Sequence, residues 1–305
     1  MRHFLVTGGA GFVGSHLVDA LVALGHGVTV LDNLSTGLRE NIHANATLVE
    51  GDVCDHSLIT RLITEADFCF HLAAIASVQQ CNESWAKSHA VNQAAFVGLL
   101  EASAKRKNHP VPVIYASSAA VYGDTEILPI SEDAPLRPIS VYGADKAGCE
   151  MHAHVAGRQA GVPSFGLRPF NIYGSRQHAG SPYSGVITVF IDRLLRGEGL
   201  TIYGDGKQTR DFISVADIIR HFIAAIDKVS LEAPVVNAAT GKQTSILDIA
   251  HLLAKILGRE AKISFAATRT GDIYRSGACT KRARSMLGIE KTLDIAEGLE
   301  FVVNK

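Results

Sequence analysis

The sequence predicts an α/β fold: a doubly wound parallel sheet followed by a smaller C-terminal lobe. Two patterns predict it. Short apolar runs alternate with helical stretches as far as Pro169, which is the signature of repeated βαβ units. The first run, Phe4-Leu5-Val6, leads directly into Thr7-Gly8-Gly9-Ala10-Gly11-Phe12-Val13-Gly14. That order reads as a strand, a glycine turn and a helix. Gly8 can take the tight turn, Gly11 lets backbone approach a pyrophosphate, and Gly14 lets the helix pack close to the sheet. The phosphates would rest on free N–H groups at the start of a helix over 12–24, beside Phe12 and Val13.

The later elements follow in order. A second strand over 28–31 ends in Asp32-Asn33. An acid at that place accepts both ribose hydroxyls and repels a 2′-phosphate, which favours NAD over NADP. A third strand over 48–50 is followed by Asp52-Val53, and a fourth over 68–71 by Ala73-Ala74. These residues stand at carboxyl ends of strands, where open α/β sheets bind ligands. Strands are expected over 111–116 and 165–168, and the longest helices over 84–107 and 141–160. After Pro169 the pattern changes. Segment 174–186 is rich in Gly, Ser, Pro and Tyr and reads as loop. Helices over 187–196, 216–226 and 246–257 then alternate with strands over 200–203, 235–237 and 262–265. The expected division is a dinucleotide-binding Rossmann domain at 1–173 and a substrate-binding lobe at 174–305, with about 212–240 returning to the sheet.

Composition narrows the function classes. The chain has 305 residues, 47% of them hydrophobic, enough for a large core. No apolar run reaches the length of a membrane span, and the glycine-rich start does not read as a signal peptide. Five cysteines are odd in number and lack C-x-x-C spacing, which fits reduced thiols and a cytoplasmic location. A net charge of −1 with no basic block argues against nucleic acid. A phosphorylated ligand must then be met by a few placed arginines. His152 and His154, two apart on a helix, do not converge, so no metal is expected. Trp85 at a helix start reads as packing.

The proton chemistry is suggested by Tyr142 and Lys146, four apart and therefore on one helix face. A free phenol has a pKa of about 10 and is a poor base at neutral pH; lowering it by about three units takes roughly 4 kcal/mol. One ammonium at about 4 Å supplies that order at an effective dielectric near 20. Lys146 could also hold the nicotinamide ribose. Ahead of this pair, Ala116-Ser117-Ser118-Ala119-Ala120-Val121-Tyr122-Gly123 ends the fifth strand. Ser118 can bond the hydroxyl that loses its proton and relay it to Tyr142.

Together these pieces resemble the extended short-chain dehydrogenases/reductases, and within them the UDP-hexose 4-epimerases. The resemblance also takes in Gly51-Asp52-Val53, His71-Leu72-Ala73-Ala74, Asn92, Arg168-Pro169-Phe170-Asn171-Ile172-Tyr173-Gly174 and the run from Gly204 through Arg210 to Phe212. It implies bound NAD, contacted also by Asn92, and inversion of a sugar C4 through a 4-keto intermediate. Asn171, Arg210, Arg269 and Asp272 would contact the UDP-sugar substrate, and helices 84–107 and 141–160 would pair with their copies in a homodimer. Related 4,6-dehydratases carry Asp-Glu where this chain has Ala119-Ala120, and the UDP-glucuronate decarboxylases place a Glu second; neither acid is present here. Ser276, four after Asp272, matches a pocket position beside the sugar C2 group. A bulky Tyr there restricts relatives to UDP-glucose and UDP-galactose, so a serine implies room for an acetamido group. Ser276 also reads as an ordinary loop serine. Many relatives carry an Asn in the loop after the Asn171 motif, and segment 174–199 has none. Two alternatives stand beside this reading: epimerisation of another nucleotide sugar such as UDP-glucuronate, or a non-catalytic NAD-binding redox sensor.

Overall fold

The computed structural model describes residues 1–177, 185–268 and 272–304. The first six apolar runs form β1 (His3–Thr7), β2 (Gly27–Asp32), β3 (Thr47–Glu50), β4 (Phe68–His71), β5 (Val113–Ala116) and β6 (Ser164–Pro169). Between them lie α1 (Phe12–Ala23), α2 (His56–Glu65), α3 (Val78–Glu83), α4 (Trp85–His89), α5 (Ala95–Ala104) and α6 (Val141–Ala160). Then follow β7 (Asn171–Tyr173), α7 (Val186–Leu195), β8 (Leu200–Tyr203), β9 (Thr209–Arg210), β10 (Phe212–Ser214) and α8 (Val215–Ala225). The chain continues through β11 (Val235–Ala238), β12 (Thr244–Ser245), α9 (Ile246–Ile256), β13 (Ile263–Ala266), α10 (Lys281–Leu287) and α11 (Ile295–Val303).

The central sheet is parallel, in the order β11-β6-β5-β4-β1-β2-β3. Strand order reverses between β1 and β4, and the crevice above that switch point is where such sheets take their ligands. Side chains alternate across the sheet with a period of two. Phe4, Val6, Val30, Phe70 and Ile114 pack under α1 and α8 on one face. Leu5, Leu31, Cys69, Val113 and Tyr115 pack under α2, α5 and α6 on the other. A separate core of Phe190, Ile202, Leu253 and Leu299 supports the C-terminal lobe.

Two differences from the sequence reading have physical causes. The helix expected over 84–107 is broken: α4 passes through a π-helical turn at Ala90–Ala94 before α5 begins. Asn92 sits in that turn, fully buried, with its amide bonded to the Ile75 backbone at both ends. The widened turn turns a polar side chain inward, which apolar periodicity does not register. Within the segment expected to return to the sheet, β11 pairs with β6, whereas β10 pairs with β7 outside the central sheet. Strands as short as β7, β9, β10 and β12 leave no periodic trace.

The glycine turn packs at the limit of backbone contact. Gly8 has φ +72°, and a Cβ there would lie 2.7 Å from Ala73 N. A Cβ on Gly14 would lie 2.1 Å from Gly8 O, so α1 approaches the turn as only glycine allows.

Candidate active site

The N-terminus of α1 opens onto the switch-point crevice. Its cap is Gly11, no side chain caps it, and its first turn holds no acid. A Cβ on Gly11 would meet only Gly8 O, at 3.3 Å, so that side is kept clear by choice of residue rather than by packing. Phe12 and Val13 begin the helix, and their peptides point to where a pyrophosphate gains from the helix dipole. Asp32 closes β2. Its carboxylate accepts from Ala10 N and Leu34 N, each at 2.9 Å, which ties the glycine turn to the loop after β2. Asn33 donates to Asp52 at 3.2 Å, joining the ends of β2 and β3. The Cys54 backbone N–H, at 2.8 Å, is the main reason that the Asp52 carboxyl lies below its usual value. Val53 is buried in the core, which leaves its backbone for any ligand. A cradle of glycine backbone, an uncapped helix start and an acid at the end of β2 fits a dinucleotide.

The residues expected to transfer protons lie around the end of β5. Ser140 caps α6 by accepting from Gly143 N at 3.1 Å, which places Tyr142 in the first turn. A Cβ on Gly143 would stand 2.5 Å from Ala120 O, so α6 lies directly on the turn that Ser118 begins. Ser118 accepts from Ala120 N at 3.1 Å, and its own hydroxyl proton remains available. Lys146 is 2% exposed. Its ammonium donates to Ala116 O at 2.8 Å and lies 5.8 Å from the centre of the Tyr142 ring. The lysine is thus fixed by the strand end beside the phenol.

Asn92 does not reach this crevice with its side chain. It holds the loop after β4 through Ile75, and so bears on the neighbourhood of Ala73 indirectly. Thr7 and His71, which the sequence does not single out as site residues, stand at the ends of the adjacent strands β1 and β4. The Thr7 hydroxyl accepts from Leu72 N at 3.2 Å and Ala73 N at 3.3 Å, and contacts His71 Nδ1 at 3.0 Å.

The C-terminal lobe supplies a second set. Arg210 and Asp272 form an ion pair, and Arg210 also donates to Thr209 O at 2.8 Å. Burial pulls the guanidinium below its usual value while Asp272 opposes the shift. Ser276 is buried and donates from its backbone to Thr209 O at 3.2 Å. Arg210, Asp272 and Ser276 are therefore gathered along β9. Asn171 begins β7 beside them, with its N–H on Asp211 O at 3.0 Å and its side chain exposed to a small cleft with Gln177 and Phe212. Arg269 lies outside the described residues. Asp211, which the sequence does not single out, is fully buried and accepts from Thr240 N, Thr240 Oγ1, Gly241 N and Ala278 N. It anchors the strap that carries Ser276. Among the described residues no group of histidines, cysteines and acids is arranged to hold a metal, and no helix is long and apolar enough to cross a membrane.

Comparison with known proteins agrees with this geometry. Residues 4–239 match the model of the NAD dependent epimerase/dehydratase family. A UDP-glucose 4-epimerase of Mycolicibacterium smegmatis is 36% identical over 313 residues, covering 99% of this chain and 98% of that protein. The crystal structure of a Thermotoga maritima UDP-glucose 4-epimerase with UDP-glucose has a TM-score of 0.94 at 35% identity, covering 99% of this chain and 97% of the other. A UDP-N-acetylglucosamine 4-epimerase from Methanobrevibacter ruminantium, in complex with UDP-N-acetylmuramic acid, has a TM-score of 0.93 at 35% identity with the same coverage. The crevice, the strand-end residues and these likenesses converge: the chain belongs to the NAD dependent epimerase/dehydratase family, as an extended short-chain dehydrogenase/reductase of the UDP-hexose epimerase kind.

Proposed function

We propose that this protein inverts C4 of UDP-hexoses, with UDP-GlcNAc and UDP-GalNAc among its substrates and UDP-glucose and UDP-galactose beside them. The observation that carries the reading is the grouping of Ser118, Tyr142 and Lys146 at the end of β5, next to Ala119 and Ala120, which offer no acid or base for elimination. Bound NAD supplies a hydride acceptor and donor at the sugar C4. Tyr142 removes the proton of the 4-hydroxyl and later returns it. Lys146, held by Ala116 O, favours the phenolate. Ser118, whose lone pair is engaged by Ala120 N, turns its hydroxyl proton toward the sugar oxygen. Arg210 leaves Asp272 for the diphosphate, for which a forked guanidinium is suited, and Asp272 turns to the ribose. Arg269 and Asn171 complete the phosphate end. Gly8, Gly11, Phe12, Val13, Asp32, Asn33, Asp52, Val53 and Ala73 line the dinucleotide, with Asn92 acting through the Ile75 loop.

Proton NMR of the purified protein with UDP-GlcNAc, UDP-glucose and UDP-glucuronate in separate tubes tests the reaction. The C4 epimer is expected in the first two. Inversion only of UDP-glucuronate transfers the reading to that sugar, and no inversion in any tube with NAD added overturns it. Ser276→Tyr is expected to abolish turnover of the N-acetylated pair and spare the glucose pair; equal loss of both removes Ser276 from the pocket wall.

The homodimer rests on α6 and the α4–α5 segment. Met151 and Val155 on α6 are 61% and 53% exposed, and Trp85 on α4 is 68% exposed. Apolar side chains laid out this way suit a helix-on-helix interface between copies. Light scattering is expected to give twice the mass of the chain; a monomer at micromolar concentration excludes the dimer.

A further inference from the structure

The buried face of α6 carries a charged residue, Glu150, that the proton chemistry does not use. Tyr142, Lys146 and Glu150 are spaced by four and share one face. Lys146 bonds Ala116 O, Ser117 donates its hydroxyl to Glu150, and the next residue along the strand end is Ser118. Glu150 and Arg168 are each 6% exposed at the side chain. Arg168 grips the carboxylate with both tines of its fork, Nε to Oε1 at 2.8 Å and Nη2 to Oε2 at 2.6 Å. Its remaining nitrogen reaches the Tyr122 hydroxyl at 2.7 Å, and that hydroxyl donates to Asn237 at 2.6 Å. A single ion pair thus ties α6 to the ends of β5, β6 and β11.

Buried pairs of this kind give little net stability, since apolar residues of equal volume do as well or better. Geometry and charge balance are what this one provides. An unpaired carboxylate one turn behind Lys146 would offset the field of the ammonium at Tyr142, and Arg168 cancels it. We propose that Glu150 and Arg168 are positioning residues for the proton-transfer helix: they fix α6 against the Ser118 strand end and keep the charge behind Lys146 balanced. The proposal rests on the roles given above to Tyr142 and Lys146.

Other charged groups stand on or near this helix, among them Glu83 of α3, Lys87 of α4 and Glu101 of α5. Asp145 is closed on His89 of α4 at 2.8 Å. His71 of β4 is kept neutral by burial, with Lys146 adding to the effect. Glu132 accepts from Asn237 N at 2.9 Å and stands 3.9 Å from Arg282. Glu150 lies two turns from Tyr142, about 12 Å along the axis. At an effective dielectric near 20, a charge at about that distance moves a proton equilibrium by about one unit.

The test uses the full chain loaded with NAD as wild type, Glu150→Gln, Arg168→Lys, and the double variant Glu150→Gln with Arg168→Met. Two readouts are taken: kcat and KM against pH, and a substrate-free ultraviolet titration of the phenolate signal that disappears when Tyr142→Phe is added to each background. Glu150→Gln leaves the Arg168 cation unopposed and is expected to move both midpoints about one pH unit toward acid. Arg168→Lys keeps the charge but loses the fork, so its midpoint stays and kcat falls about tenfold at unchanged KM. The double variant removes both charges and returns the midpoint to wild type with the same kcat loss. Coincident midpoints for Glu150→Gln and wild type overturn the proposal. If Glu150→Gln does not fold, the double variant decides, and a wild-type kcat in it overturns the proposal. The titration needs no substrate, so failure of the epimerase assay refutes the reaction and leaves the pair to be judged separately.

Discussion

Tyr142→Phe is expected to lower kcat by about a hundred- to ten-thousand-fold, the usual contribution of a placed acid–base group, while KM and bound NAD stay as they are. The substitution keeps the ring, and with it the packing of the first turn of α6 under its Ser140 cap. Only the phenolic oxygen, proposed to exchange the sugar proton, is removed. Lys146 remains bonded to Ala116 O and can still hold a ribose. Proton NMR of the C4 epimer, with NAD content read on the same sample, checks both halves. A loss under tenfold would move the proton to another group, with Ser118 the first to test. A redox sensor would be indifferent to the change. A net dehydrogenase would build up reduced cofactor in wild type, whereas an epimerase returns its hydride in every cycle.

The parts of this site that sequence reveals are those whose chemistry is local. The glycine turn, the acid after β2 and the Tyr142–Lys146 spacing each lie within a few consecutive residues, and side-chain type alone constrains their roles. Arg210 and Asp272 are far apart in sequence and form an ion pair in the fold; only resemblance placed them at one ligand. Glu150 is legible in principle, since it follows Lys146 by four, yet its partner Arg168 arrives on β6 and its donor Ser117 just after β5. Asp211 gives no local signal at all, because its bonds run to Thr240, Gly241 and Ala278. The broken helix at Ala90–Ala94 was hidden for a related reason. Apolar periodicity continues across it, and the bonds that Asn92 makes from it run to Ile75, in a loop some way back in the chain. Buried polar contacts between distant segments organise this site, and a one-dimensional pattern does not record them.

Acid is expected to destabilise the protein through His71. The Thr7 hydroxyl already accepts from Leu72 N and Ala73 N, so its proton goes to His71 Nδ1, which accepts only in the neutral ring. Burial is the main cause, and the Lys146 charge the second, that pulls this imidazole from 6.5 down to about 3. Between those values the unfolded chain binds a proton here and the folded chain does not. Stability therefore falls as pH drops below 6.5, stops falling near 3 where the folded ring also titrates, and is indifferent to this group above 6.5. The slope is about 1.4 kcal/mol per pH unit, or about 2 kcal/mol lost by about pH 5. His221, also lowered by burial, adds to the loss, whereas Asp211, raised by burial, works against it. Comparing slopes isolates His71: urea midpoints of wild type and His71→Gln between about pH 7 and about pH 5 are expected to converge as pH falls, since the variant lacks the titration. Parallel slopes would remove His71 from acid sensitivity. A charged His71 also repels the Lys146 ammonium that opposes its protonation, so the same acid bears on the site proposed for proton transfer.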